Sequence, residues 1–174
     1  PHFAIRRQRQ MCIRDRHSVI RNAVGICELK AQEKDISLVW ECSEKILMRV
    51  NAPLLEQALV NLIDNAIKYS PEKRQVEIRA TIETSEVIIE IQNQGSGIDP
   101  RHLDRIFERF YRVDAARSSK LGGTGLGLAI VKHIVQSHGG TVSVESNLNT
   151  GNKFTLKFPT TFPEKTELHK KRKE

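Results

Sequence analysis

Asn61, Asn65, Lys68 and Tyr69 fall at i, i+4, i+7 and i+8 of one segment, so an α-helix gathers two amides, an ammonium and a phenol on a single face. Leu59, Leu62, Ile63 and Ala66 occupy most of the remaining circumference. Asparagine is a weak helix former because its amide competes for backbone hydrogen bonds, so two of them within one helix need a reason other than propensity. A local rule broken twice on one face suggests a ligand site. The alternative is two amides that face water or pair with neighbouring backbone.

A second chemical signal follows later. Gly122, Gly123, Gly125 and Gly127 are interrupted only by Thr124 and Leu126 and run straight into Leu128-Ala129-Ile130-Val131, an apolar helical start. Glycines opening a helix offer close-approaching backbone N–H groups at the positive end of the helix dipole, which suits phosphate. A Walker loop is excluded because no Gly-Lys-Ser/Thr follows. A Rossmann fingerprint fails because Ile130 stands where its third glycine would be, counting from Gly125. A glycine-rich hinge before a helix is the competing reading.

The elements that must hold these groups are legible around them. Over 17–34, Val19, Ile20, Ala23, Val24, Ile26 and Cys27 form a helical apolar stripe, with Ser18 placed to cap its start. Residues 36–40 read as a strand, and 48–50 as a second short one. Asn51 is placed to cap the Asn-bearing helix, Pro53 is tolerated in its first turn, and Pro71 ends it after Ser70. Residues 75–83 alternate and 87–91 are denser, giving a hairpin turned at Thr84-Ser85.

A short helix after Pro100 is expected to hold Leu103, Ile106 and Phe107, and 109–123 has the polar composition of a mobile loop. A helix from Leu128 stopped at Gly139-Gly140 and a closing hairpin around Asn149-Thr150-Gly151 complete the chain. The expected fold is α+β, a two-layer sandwich of a mixed, largely antiparallel sheet covered on one face by helices.

With 174 residues, 39% hydrophobic and 28% charged, the chain has the composition of one soluble globular domain, and no apolar run reaches transmembrane length. The net charge of +7 sits at the ends, +4 in residues 1–16 and +2 in 164–174, so the folded part has no basic face and nucleic acid is not an expected partner. Cys12, Cys27 and Cys42 are odd in number and lack C-x-x-C spacing, which supports neither a disulfide framework nor zinc. Residues 1–16 lack any period, and Arg-Gln-Met-Cys-Ile-Arg-Asp resembles a translated transposon-end sequencing adapter, so a non-native start is expected. The domain is expected over 17–159, with a disordered basic tail over 160–174.

Taken in order, the Asn-bearing helix, Asn-Gln-Gly-Ser-Gly-Ile over 93–98, Phe-Glu-Arg-Phe-Tyr-Arg over 107–112 and Gly-Gly-Thr-Gly-Leu-Gly-Leu over 122–128 resemble the N, G1, F and G2 boxes of one family. That family is the catalytic ATP-binding domain of bacterial sensor histidine kinases, related to gyrase, Hsp90 and MutL, and the likeness covers roughly 17–159. It implies a Bergerat-type fold with ATP and Mg²⁺ as cofactors. Asn65 would coordinate the Mg²⁺ bridging the phosphates, Asn61 would support metal or phosphate, and Lys68 would meet phosphate as a point charge, these three being the catalytic set. Tyr69 would lie against the nucleotide, and Gly95 and Gly97 would let backbone pass the adenine beside Asn93 and Ile98. Gly123, Thr124, Gly125, Leu126 and Gly127 would border lid and phosphates, with Arg109, Arg112 and Lys120 as lid contacts.

The resemblance further implies transfer of the γ-phosphate to a histidine on a helical dimerisation domain, then to a response regulator, in the cytoplasm. Whether the parent protein is anchored in the inner membrane stays open. No acceptor His-Glu or His-Asp pair is present, and His17 is followed by Ser18. Gyrase-like ATPases and anti-sigma serine kinases carry Glu where Asn61 stands, and an amide is no general base. One departure concerns the adenine contact: the family has Asp at position 93, and Asn93 keeps a carbonyl acceptor but loses charge and adds a donor. That exchange is expected to cost about 1–2 kcal/mol, hence weaker ATP binding or relaxed base choice. A degenerate, non-catalytic docking module is the alternative function, and Asn93 is its support. Phe107, Phe110 and Tyr111 are expected to pack the base of the lid, and His133 and His138 to be structural.

Overall fold

A computed structural model describes residues 16–43, 50–113 and 123–160. In chain order the elements are α1 (Arg16–Glu33), β1 (Ser37–Cys42), α2 (Ala52–Tyr69), β2 (Gln75–Glu83), β3 (Glu86–Asn93), α3 (Pro100–Leu103), α4 (Gly127–Ser137), β4 (Thr141–Asn147) and β5 (Gly151–Pro159). The strands form one five-stranded sheet in the order β1-β2-β3-β5-β4. β1 runs parallel to β2 and every other pairing is antiparallel, as a mixed, largely antiparallel sheet requires. The core lies between one sheet face and α1, α2 and α4, built on Leu59, Leu62, Ile78, Ile89, Ile91, Leu156 and Phe158. On the other face Arg79 pairs with Glu41, and Lys153 with Glu90 and Glu145.

Why α2 forms where it does is visible at both ends. The Asn51 side chain accepts from Leu54 N–H at 3.2 Å, Pro53 sits in the first turn, and the chain leaves helical geometry at Ser70 before Pro71. Its buried positions, Leu55, Ala58, Leu59, Leu62, Ile63, Ala66 and Ile67, form one continuous apolar arc.

α1 lies beside α2 and parallel to it. Its polar contacts keep a near-constant offset in sequence: Asn22 to Glu56, Lys30 to Asp64, and Lys34 to the Ile67 and Lys68 carbonyls at 2.8 and 2.7 Å. Lys34 thereby supplies a cation and two donors to the carbonyl end of α2, where the helix dipole is negative.

α4 is set antiparallel to α2 by a buried histidine. His138 Nδ1 donates to the Ile134 carbonyl at 2.7 Å, and its Nε2 accepts from the Asn51 N–H at 3.0 Å. A carbonyl can only accept and a backbone N–H can only donate, so both ring nitrogens are used and the imidazole is neutral. His138 is structural, as expected, and His133 is exposed.

Several expectations are corrected. α1 begins at Arg16, so Ser18 lies within the helix rather than at its cap. Ile26 is 56% exposed and leaves the α1 stripe, because residues two positions from Val24 turn about 200° away from the core. The helix after Pro100 spans only four residues, and Ile106 and Phe107 are positioned by turns instead. Gly151 belongs to β5, pairing with Asn147 across the connecting residues Leu148, Asn149 and Thr150. The strand expected over 48–50, Cys12, the segment 1–15 and the tail beyond Thr160 fall wholly or mostly outside the described residues. Cys27 is a buried core residue, its thiol pushed up to about 11 by burial and the nearby Asp64 carboxylate.

Candidate nucleotide site

Asn61, Asn65 and Lys68 are half-buried on the face of α2 that the core leaves uncovered, and Tyr69 at its end is more exposed. The first turn of α4 stands against this face: a Cβ built on Gly127 would be 3.7 Å from Asn61 Oδ1. Leu126 occupies the N-cap of α4 and makes no side-chain capping bond, while Thr124 Oγ1 accepts from the Leu126 N–H at 3.3 Å. Early N–H groups of α4 are thus left without a side-chain acceptor beside Asn61, on the helix face that also carries Asn65 and Lys68. Asn61 Nδ2 is buried and has no hydrogen-bond partner among the described residues. A buried amide donor left without a partner, on a residue that stands beside an uncapped helix start, is where an anionic oxygen fits.

The charges next to this face are arranged around Asp64. Lys30 and Lys68 bind its two oxygens at 2.6 and 3.2 Å. Burial pushes the Asp64 carboxyl up, but the two lysines outweigh it and leave it below the ordinary carboxylate range. Because the folded-state value is depressed, the stability from this cluster is present above the unfolded value and lost as pH falls through the folded one. Asp64→Asn is expected to flatten the acid side of the stability profile between about pH 5 and pH 3, read by urea unfolding at each pH. An unchanged acid slope would show that Asp64 is not linked to folding.

Gly95 and Gly97 answer first to the chain's own backbone. A Cβ on Gly95 would come within 2.2 Å of the Tyr69 carbonyl oxygen, and one on Gly97 within 2.3 Å of the Asn147 carbonyl oxygen. The turn is therefore locked between the end of α2 and the β4–β5 hairpin. Gly125, at φ +71°, carries its carbonyl to the Phe110 N–H at 2.8 Å and packs on the Phe110 backbone. The same contact holds Phe110 at φ +64° and turns its ring out, 71% exposed, contrary to the packing expected of it. Phe107 and Tyr111 do pack: Phe107 meets Phe154 edge-on, while the Tyr111 hydroxyl bonds His102 at 2.6 Å beneath Arg105.

Arg109 is exposed, whereas Arg112 is half-buried with Nε lacking a partner among the described residues. Gly123 is half-buried, and Ile98 packs on the core beside the site. Lys120 lies outside the described residues.

Sequence reasoning missed a polar row at the end of the sheet. Asn93 pairs with Asn152 and Asn152 with Ser146 in the strand register, so all three share the helix-covered face. Asn93 is only 2% exposed, donates to Ser70 Oγ at 3.3 Å and accepts from Asn152 Nδ2 at 3.3 Å. The signal was present in the alternation: Ser146 and Asn152 occupy inward positions in phase with Val142, Val144, Phe154 and Leu156.

Residues 50–161 match the model of the histidine kinase-, DNA gyrase B- and HSP90-like ATPase family. The chain belongs to that family. It is 39% identical over 145 residues to the sensor-like histidine kinase SenX3 of Mycobacterium tuberculosis, covering 83% of this chain but 35% of SenX3. The fold is similar to the nucleotide-free catalytic domain of the histidine kinase ThkA, with TM-score 0.76 and 26% identity over 86% of this chain and 95% of that one. It is also similar to full-length ShkA solved with AMPPNP, with TM-score 0.74 and 28% identity over 88% of this chain and 32% of that one. The chain thus spans about a third of the length of SenX3. Among the described residues no helix is long and apolar enough to cross a membrane.

Proposed function

We propose that this chain is the ATP-binding catalytic domain of a sensor histidine kinase, which presents the γ-phosphate of Mg·ATP to a histidine on a separate helical dimerisation domain. The observation that carries the reading is the meeting of Asn61, its Nδ2 buried and unpartnered among the described residues, with the uncapped start of α4 at Gly127. Helix N–H groups and Lys68 would hold phosphate oxygens by directed bonds and by charge, and the amide of Asn65 would hold Mg²⁺ as a neutral oxygen ligand. The chemistry such an ion would supply is neutralisation of phosphate charge. Phosphoryl transfer depends mainly on positioning and electrostatics, and no residue on this face is placed to act as the general base of a hydrolase. The match to sensor kinases supports a response regulator as the downstream partner and a cytoplasmic setting for the domain. The match to the ATPase family and to histidine kinase catalytic domains favours a working nucleotide domain over a docking module.

Titration of the chain with ATP, with and without Mg²⁺, followed by calorimetry tests this directly. Binding that needs Mg²⁺ is expected, with no labelling of the chain itself by γ-³²P-ATP. Absence of Mg-dependent binding would overturn the reading in favour of the docking module.

A further inference from the structure

The row of polar side chains at the sheet's end decides which atom residue 93 offers to a ligand. Backbone groups anchor it at both ends, and a backbone group cannot exchange donor for acceptor. The Ser96 carbonyl faces Asn152 at 3.3 Å, so the Asn152 atom there is Nδ2, and Asn152 Oδ1 is left to accept from Ser146 Oγ at 2.6 Å. Ser146 Oγ in turn accepts from the Ile98 N–H at 2.6 Å, which directs its own proton to Asn152. Asn152 Nδ2 also donates to residue 93 at 3.3 Å, so the atom there is Asn93 Oδ1. Asn93 Nδ2 therefore faces Ser70 Oγ at 3.3 Å, and the Ser70 proton goes to the Ala66 carbonyl at 2.7 Å. Rotating the Asn93 amide by half a turn would set two NH₂ groups against each other across that distance, so its polarity is locked.

A locked amide has a chemical consequence. Oδ1 accepts one bond, from Asn152, while Nδ2 spends one N–H on Ser70 and has no acceptor for the other among the described residues. Nδ2 is bordered by Gly95, where a Cβ would come within 2.9 Å of it. Residue 93 thus presents a donor.

We propose that the base subsite accepts a 6-oxopurine nucleotide, whose O6 takes the free Asn93 Nδ2 proton, at least as well as an adenine nucleotide. The 6-amino group of adenine would meet this donor with another donor. The inference rests on the nucleotide-binding reading above, together with the family resemblance that sets residue 93 beside the adenine. A carboxylate at 93 reverses the preference, since it accepts from Asn152 Nδ2 and from the Ser70 hydroxyl and still offers only lone pairs outward. The Ala66 carbonyl released by Ser70 Oγ keeps its bond from the Ser70 N–H at 3.1 Å.

Competition binding of Mg·ATP, Mg·ITP and Mg·GTP to the unaltered chain and to Asn93→Asp tests it. In the unaltered chain ITP or GTP is expected to bind at least as tightly as ATP, within about threefold, and Asn93→Asp is expected to move the ratio toward ATP by about tenfold. ATP binding more than about threefold tighter than both 6-oxopurine nucleotides in the unaltered chain would overturn the proposal while leaving the kinase reading intact. Failure of all three to bind would overturn the nucleotide reading, and the base preference with it.

Discussion

Replacing Asn65 by Ala is expected to weaken Mg·ATP binding by about a hundredfold or more while leaving the fold intact. Neighbouring candidates cannot substitute for it. Asp64 is held between Lys30 and Lys68, and Asn61 faces Gly127 one turn away. The half-buried Asn65 side chain makes no hydrogen bond among the described residues, so its removal orphans no protein partner. Alanine is the better helix former by roughly 0.5 kcal/mol, so Asn65→Ala should melt at the same temperature or slightly higher. That sign separates loss of a ligand from loss of the fold. Calorimetric titration paired with a thermal melt reads both quantities, and unchanged Mg-dependent affinity would exclude Asn65 from the metal site.

Gly151→Ala carries the largest expected effect on stability, a loss of about 3–5 kcal/mol. Two costs act together. Gly151 has φ +111°, a conformation an L side chain rarely adopts, and a Cβ there would lie 2.0 Å from the Asn93 carbonyl oxygen and 2.8 Å from Gly95 N. Those are backbone atoms at the join of β3 and the glycine turn, so no rotamer change relieves the contact. Relief would require the start of β5 to move off β3, parting Asn152 from Asn93 and disturbing the base end of the site. Urea unfolding measures the loss, and a change below about 1 kcal/mol would show that β5 can shift freely there.

Local signals reached far into this fold. The ends of α2 were legible because Asn51, Pro53 and Pro71 act on their own neighbouring backbone, and both residue ends of β2 followed from its alternation. The face shared by Asn61, Asn65 and Lys68 was legible because helical geometry is fixed at 100° per residue. Corrections fell where a distant segment intervened. Phe110 is turned outward by Gly125, and Gly151 joins β5 because Asn93 lies against it.

The sequence by itself determined the family, the order of the elements and the helix face that carries the amides, since all of these are written in residue type and spacing. The tertiary structure decided what Asn93 can do. Its hydrogen-bond polarity depends on Ser70, Ser146 and Asn152, which lie 23, 53 and 59 positions away in the chain. Strand register brings the latter two beside it, and the fixed polarity of the Ser96 and Ala66 carbonyls and the Ile98 N–H then orients every side chain between them. Spacing along a chain does not encode that register, because it is set by which strands pair once the core has closed.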